Sequence, residues 1–531
     1  MIWAQRDGQP VTLGPGRRSR TSGNIAMKSS EASRFAGSGP ASGPHGETAG
    51  ARDDWNAPAT MNSAPGSMRS EVPASPWRHP LRGSAHREYG AVTTFVGLYV
   101  VLLIVVPSRL VFAPLGSAGT PANILGLCLF IWWLCARVSG HLGVDTRLNV
   151  TTGALAFFAA SVFASYAWGA RSGWWAPEDV HQVTDPIYSY TVPRVEQVQA
   201  VMLTSADRGL ITLFAWLGIS LLVANGIRRV ADVEFVISCL VVSAALISVI
   251  GIVQFQTGFN TARLFQIPGL TATVPFGDVL DRSVRRVSAT AIHPIEFGVV
   301  LAAVLPLALH RALASSRHKA LAWVCVVLIA AALPMSVSRS AFVCAGAGGA
   351  VLFLAWSPKM RLIGLAALPF LLLVFRAAVP GVLGTVGSLF TNVDTDPSVD
   401  GRVQDYAVAL RILTDSPVFG RGLYTFVPQY YRIMDNAVLV LLIETGVVGF
   451  AALSLVFLSA LSNSARAWRG SQAFVDKHRA AALMASLVGS LVAFGTFDAL
   501  GFNMAAGLTF LLIGLSAALR HSTSGAGACS G

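Results

Sequence analysis

Apolar residues fall along this chain in long unbroken runs, not at alternating positions. A helix needs roughly 20 such residues to cross about 30 Å of hydrocarbon. About twelve runs reach that length, at 90–112, 119–138, 149–168, 207–227, 232–255, 291–314, 319–337, 339–356, 360–380, 436–463, 478–497 and 499–520. Continuity of this kind argues against the two-residue period of a membrane β-barrel. The pattern therefore predicts an all-α, polytopic membrane protein of about 12 transmembrane helices. Composition narrows it further: 53% hydrophobic and 12% charged residues, with a mean hydropathy of +0.58 over 531 residues, exclude an ordinary soluble protein.

Residues 1–88 break the pattern. They are rich in Gly, Pro, Ser, Ala and Arg and show neither a hydrophobic period nor the apolar core of a signal peptide, which predicts a disordered basic tail. It is read either as an extension with no chemistry of its own or as residues ahead of a start at Met27, Met61 or Met68. The expected organisation is this tail, a transmembrane domain over 89–520 and a short disordered tail over 521–531.

Charge in the short loops orients the bundle. Arg137 and Arg147, Arg228 and Arg229, Arg311, Arg317 and Lys319, Lys359 and Arg361, and Arg466, Arg469, Lys477 and Arg479 fall on every second connection. Excess Lys and Arg marks the cytoplasmic side, so both termini are expected in the cytoplasm of a multi-pass plasma (inner) membrane protein. Three long connections, 169–206, 256–290 and 381–435, then lie outside, the largest of them just before the tenth helix. They carry many arginines, including Arg171, Arg263, Arg411 and Arg432. Guanidinium forks match phosphate oxygens, which points to an anionic ligand on the extracytoplasmic face; lipid headgroups and solvent account for part of the excess. The cysteines lie in helices or the final tail, with no disulfide or zinc spacing.

Several stretches carry polar residues where an apolar chain has little reason to keep them. "SVSRS" places Arg339 in a very short outer turn at the edge of the hydrocarbon, where a cation needs a partner, a ligand or a path to the interface. "RVSATAIHPIEFG" brings Arg286, His293 and Glu296 to the outer start of the sixth helix; a histidine there titrates near neutral pH or serves as a polar cap. "FDALGFN" puts Asp498 in the last outer turn. In the large loop, apolar residues recur at helical spacing from Arg402 to Leu413, predicting an amphipathic helix at the membrane surface. "DSPVFGRG" ends it in a flexible turn carrying Arg421. The D-x-D of "NVDTDPS", Asp394 and Asp396, reads as turn chemistry before Pro397, so neither a metal nor a cofactor is expected. Finally, "MDNAVLVLLIETGVVGF" sets Asp435 and Asn436 at the mouth of the tenth helix, with Glu444 about 13 Å further along. At that depth Glu444 reads as a partner for an arginine such as Arg339 or for a neighbouring helix.

In order and spacing, the Ser-x-Ser-Arg turn, the loop with Gly-Arg and then "SPVFGRGL", and the helix opening Asp-Asn and continuing "IETGVVG" resemble the O-antigen ligase and polymerase superfamily. The resemblance covers roughly residues 286–515. It implies an all-helical membrane glycosyltransferase of the C type whose donor is a saccharide on a polyprenyl diphosphate. Ligases of that superfamily usually open the helix with His-Asn; here Met434 and Asp435 stand in that place, which resembles the polymerases, as do "HPIEFG" and "FDALGF". The implied function is polymerisation of lipid-linked repeat units into a surface or exopolysaccharide, with ligation to another acceptor as the alternative. A lipid-linked oligosaccharide transporter is a third reading, disfavoured by the lack of duplicated halves.

On the polymerase reading Arg339 and Arg402 clamp the leaving diphosphate, and Asp435 accepts the proton of the attacking hydroxyl. Arg421, Arg286, His293, Asn436, Glu444 and Asp498 are the expected substrate-binding residues. The expected partners are the polyprenyl-diphosphate-linked oligosaccharide and the bilayer, with a chain-length regulator and a flippase implied by the resemblance and no nucleic acid.

Overall fold

The computed structural model describes residues 90–139, 149–174, 195–273, 286–314, 318–378, 384, 387, 397–428 and 430–528. The expected tail over 1–88, Asp394 and Asp396 of the D-x-D, and residues 529–531 lie outside them, whereas 521–528, expected in a disordered tail, continue the last helix. The described residues are overwhelmingly helical: α1 (Ala91–Ile104), α2 (Pro121–Ser139), α3 (Val150–Arg171), α4 (Val195–Gly226), α5 (Val230–Thr257), α6 (Pro294–Ala314), α7 (Lys319–Met335), α8 (Arg339–Ala355), α9 (Pro358–Ala378), α10 (Pro397–Asp415), α11 (Ala437–Gly470), α12 (Phe474–Phe494) and α13 (Asn503–Ala528). Each apolar run thus contains a helix, and α10 is the amphipathic helix of the large loop. The fold is that of an all-α polytopic membrane protein.

Among the described residues, seven helices are long and apolar enough to cross a membrane: α2, α3, α4, α5, α6, α11 and α13. Ala91–Ile104, Lys319–Met335 and Arg339–Ala355 are apolar but shorter; at 1.5 Å per residue the longest of these three reaches about 25 Å. Their shortness has a local cause in the turns that interrupt them. The first run, expected to continue to 112, stops at Ile104 because Pro107 cannot continue the helical ladder. Leu110–Val111 then pairs antiparallel with Thr271–Ala272 as a two-stranded ribbon. That folded turn buries Arg109, which donates through Nη2 to the carbonyls of Ala291 and Ile292 at 3.1 and 3.3 Å. An arginine that the hydrophobic pattern hid inside a span therefore staples the first turn to the start of α6.

The core is continuous through the helices and is built from Leu, Ile, Val, Phe and Ala, with Trp216 stacked on Phe510 at 4.8 Å between ring centroids. Many neighbouring outward faces remain apolar, as at Val242, Leu362, Ile363 and Leu458. In water such faces would be a liability; in a bilayer lipid covers them.

Two polar clusters mark the two ends of the bundle. Glu296 at the start of α6 accepts from the Met504 amide of α13 at 2.9 Å, while Arg311, fifteen residues along the same helix and so about 22 Å away, binds Glu234 of α5 at 2.7 Å. Around Glu234 lie Arg479 of α12 and His310 of α6, the latter at 2.8 Å. Trp356 can only donate, so at 2.9 Å its indole N–H fixes Nε2 of His478 as an acceptor. Nδ1 of His478 then donates to Nδ1 of His310 at 3.3 Å, and Nε2 of His310 donates to Glu234. One carboxylate thereby ties three helices together where apolar packing alone leaves register free to slide.

Removing that carboxylate strands two guanidinium groups and an imidazole without their shared acceptor. Glu234→Ala should destabilise the folded protein by about 3–5 kcal/mol, read as a lower thermal unfolding midpoint in detergent. An unchanged midpoint would show the cluster to be energetically idle.

Candidate functional site

At the end of the bundle opposite Glu234, four turns converge on the connection between α12 and α13. Ser340, next to Arg339, donates to the Thr496 carbonyl at 3.1 Å. The Ala437 amide, which opens α11, donates to the Phe497 carbonyl at 3.2 Å. Tyr424 donates its hydroxyl hydrogen to the Leu500 carbonyl at 2.9 Å. Glu296 takes the Met504 amide just beyond. The Arg339 turn and the Asp435 segment, almost a hundred residues apart in sequence, thus flank one short connection through adjacent residues of it.

The "SVSRS" turn is tightly specified. Ser338 caps α8 by accepting from the Ala341 amide, and Val337 before it is held at φ 45°. A β-branched residue pays strain for that conformation, and such strain persists only where surrounding contacts impose it. Arg286 is held beside it, its Nε donating to the Ser336 carbonyl at 3.3 Å. His293 follows, and its Nδ1 accepts from the Ile295 amide at 3.2 Å. Burial, reinforced by the Arg286 charge, pushes its imidazole down to about 3, so it stays neutral through the physiological range. Of the two readings open to a histidine here, the observed geometry is that of a cap.

The Asp435 side of the site is organised by one face of α10. Arg402, Asp405 and Tyr406 stand at i, i+3 and i+4 and so project together. Nη2 of Arg402 lies 3.4 Å from Oδ2 of Asp435. Asp405 sits 3.0 Å from Nε of Arg432, although that N–H does not point along the contact, so the attraction is Coulombic more than a formed hydrogen bond. The Tyr406 hydroxyl accepts from Asn436 at 3.4 Å. Asn436 itself is the cap of α11, accepting from the amides of Val438 and Leu439 at 3.0 and 3.3 Å. Asp435 and Arg402 keep about a third of their side chains exposed, 36% and 29%, whereas Asp405 is 3% exposed. Nε of Arg402 is buried and finds no hydrogen-bond acceptor among the described residues.

Glu444 has a different environment. α11 breaks at Gly446, whose φ of 66° and ψ of −171° are not helical. The turn after α10 is laid against that break. The amides of Arg421 and Gly422 donate to the Glu444 carbonyl at 2.9 and 2.8 Å, and those of Val447 and Val448 donate to Pro417 and Val418 at 2.9 and 3.2 Å. Ser165 of α3 donates to the same Glu444 carbonyl at 2.6 Å and accepts from Gly422. The Glu444 carboxylate takes the Phe426 amide at 3.2 Å. Only glycine suits position 446, since a Cβ there would meet the Val418 carbonyl oxygen at 2.3 Å. Glu444 therefore serves the backbone of the 421–426 segment, and the helical stretch from Ala437 keeps it well apart from Asp435. Arg421 carries its own ion pair with Asp415 at 2.9 Å.

Asp498 lies in the converging turn, 8% exposed, with Oδ1 accepting from the Gly501 amide at 3.2 Å. Burial first, and the neighbouring Asp435 charge second, push its carboxyl up to about 7 against the pull of that amide. Burial likewise raises Asp405 to about 6, with Asp435 acting in the same direction and Arg432 and Arg402 opposing it. Arg339, Arg286, His293 and Asp498 are thus gathered around one connection, Arg402, Asp435 and Asn436 at the opening of α11 beside it, and Glu444, further along α11, meets the loop that carries Arg421. Asp405 and Arg109 had no role in the sequence reading. Asp405 was legible as the i+3 neighbour of Arg402; Arg109 was masked by the apolar residues around it.

What these features define is a multi-pass helical membrane protein with an arginine- and carboxylate-lined cluster at one end. Residues 324–454, from α7 to the first part of α11, match the model of a family described as O-antigen ligase. That match agrees with the O-antigen ligase and polymerase superfamily and points to a membrane protein that ligates or polymerises glycans. No curated protein matches the chain.

The sign of the Asp498 shift gives a test. A carboxyl whose folded value exceeds its unfolded one costs stability when it must ionise in place; the cost is full above about pH 7 and fades as pH falls toward the unfolded value near 4. Asp498→Asn should therefore raise the thermal midpoint relative to wild type at alkaline pH and lose that advantage in acid. A difference between the two proteins that does not vary with pH would contradict the assignment.

Proposed function

We propose that the protein polymerises polyprenyl-diphosphate-linked oligosaccharide repeat units at the extracytoplasmic face of the plasma membrane. The observation that carries this reading is the Arg402–Asp435 contact at 3.4 Å, in which a guanidinium with an unused buried donor meets a partly exposed carboxylate at the mouth of α11. A glycosyl transfer from a lipid diphosphate needs both. The acceptor hydroxyl oxygen forms a bond to the anomeric carbon, the bond from that carbon to the diphosphate oxygen breaks, and the hydroxyl proton must be taken away. Asp435 is the proton acceptor in this proposal. Arg402 and Arg339 bear the charge growing on the diphosphate, where donors fixed in advance are worth several kcal/mol because little solvent has to reorganise.

Asn436 holds the mouth of α11 in shape, Arg286 and Asp498 line the approach from the Arg339 side, and Arg421 is set one layer back by Asp415. Placing this end of the bundle outside rests on the basic short loops, whose Arg311 and Arg479 lie at the Glu234 end. Both termini are then cytoplasmic, and the substrate arrives already translocated by a flippase, with a chain-length regulator as a further partner.

Ligation is the second reading, favoured by the description of the matched family. Against it stands the helix opening Met434-Asp435, without a histidine. Loss of function separates the two. Arg339→Ala and Arg402→Ala should insert normally, abolish long polymer and let single lipid-linked repeats accumulate in cells. Finished chains that remain unattached would favour ligation, and unchanged polymer in both variants would overturn the arginine clamp.

A further inference from the structure

Asp405 is a nearly fully buried carboxylate on a helix whose Arg411 and Asp415 are open to solvent. An unpaired carboxylate is not kept at such a position without a reason, because its burial costs free energy unless the partners it holds return more. Its partners are specific. Arg432 Nε lies at 3.0 Å, and the backbone N–H of Asp435 faces the same carboxylate and favours its charged form. Arg432 in turn donates through Nη2 to the Gly401 carbonyl at 3.4 Å, closing the segment 432–435 back onto α10. One turn earlier on the same face Arg402 reaches the Asp435 side chain, and one residue later Tyr406 takes Asn436.

Three successive contacts thus register α10 against the residues that open α11, and Asp405 is the central one. Beneath them the two elements share an apolar cluster: Ala409 and Ile412 of α10 pack with Tyr431, Met434, Leu439 and Ile443. That cluster fixes how close the helices come. It does not fix the rotation of the Asp435 peptide, which is set by where its N–H points.

We propose that Asp405 is a positioning residue for glycan transfer: by holding Arg432 beside the Asp435 amide it aims the Asp435 carboxylate at the acceptor hydroxyl in line with Arg402. This rests on the polymerase reading above. Asp405 itself touches neither donor nor acceptor; its effect runs through the peptide and the guanidinium it grips. The charged groups facing it are Arg432 and Asp435 from the opening segment and Arg402 from its own helix, while α4 contributes the apolar Val198 and Met202 to the cluster below. Protonation weakens the grip on Arg432, and the carboxyl is raised to about 6, so the grip fails as pH falls through that value.

The test uses the purified full-length protein and a defined polyprenyl-diphosphate-linked repeat unit. In Asp405→Asn, kcat should fall by up to about 100-fold, the scale of a small misplacement of a reacting group, while KM stays within about twofold because no substrate contact is lost. Wild-type activity should drop on the acid side of about pH 6; the variant should keep its low activity without that limb. Asp405→Glu should recover part of kcat. If Asp405→Asn does not fold, Arg432→Gln carries the test, since it removes the charge that Asp405 holds, and the same loss in kcat is expected. Wild-type protein that does not extend the repeat unit overturns the polymerase reading and the positioning role with it. Active wild type matched by Asp405→Asn in kcat and in pH profile overturns the positioning role alone, as does a loss confined to KM.

Discussion

A backbone that leaves its helix inside a bilayer must find partners for every freed amide and carbonyl, because no water is at hand to take them. α11 leaves its helix at Gly446, and the turn after α10 supplies the missing partners: Arg421 and Gly422 donate to the Glu444 carbonyl, and Pro417 and Val418 accept from the amides beyond the break. The exchange works in both directions. The loop gains a rigid seat, and the broken helix gains partners for its Glu444 carbonyl and its Val447 and Val448 amides. α10 is anchored by that seat, and the face of α10 sets Arg402 against Asp435. A polar loop that would otherwise wander over the membrane surface is thereby held to a fixed place.

The connection between α12 and α13 does for the other half of the site what Gly446 does for the first. Its carbonyls accept from Ser340, Ala437 and Tyr424, so the starts of α8 and α11 and the loop after α10 all hang from a few adjacent peptides. Glu296 reinforces it by capping α13 from α6. The short helices have a reason in this arrangement. α7 and α8 end and begin at a turn that bonds to the connection, and a full-length span would carry Arg339 past it. Charge is treated with the same economy: Arg421 pairs with Asp415, Arg432 with Asp405 and Arg402 with Asp435, so these three arginines of the large loop meet carboxylates before any ligand is considered.

Hydrophobic runs carried most of the fold because a membrane helix must be apolar along its whole length, and that requirement is written residue by residue. The same logic found α10, whose apolar stripe at helical spacing needs no tertiary information. It failed at Arg109, where the neighbouring apolar residues let the run continue on paper past Pro107, and at the length of α1 for the same reason. Asp435, Asn436 and Arg339 were legible as polar residues that an apolar chain keeps at helix ends. The partners of Glu444 were not, since a main-chain amide from eighteen residues away leaves no mark in composition or period. Neither was the Glu234 cluster, whose members lie on three helices and become one group only when those helices pack.

By itself the sequence determined that this protein is helical and lives in a membrane, which polar residues stand at helix ends, and which superfamily their order resembles. These follow from short-range properties: the apolar length needed to span hydrocarbon, the spacing that puts residues on one face, and the cost of a charge in lipid. The tertiary structure alone decided which of those residues meet. It set Asp405 under Arg432, Arg402 against Asp435, and the Arg339 turn beside the start of α11. Such pairings depend on where a helix breaks and what backbone fills the break, and a single substitution at Gly446 would change them while leaving the hydropathy of the chain the same.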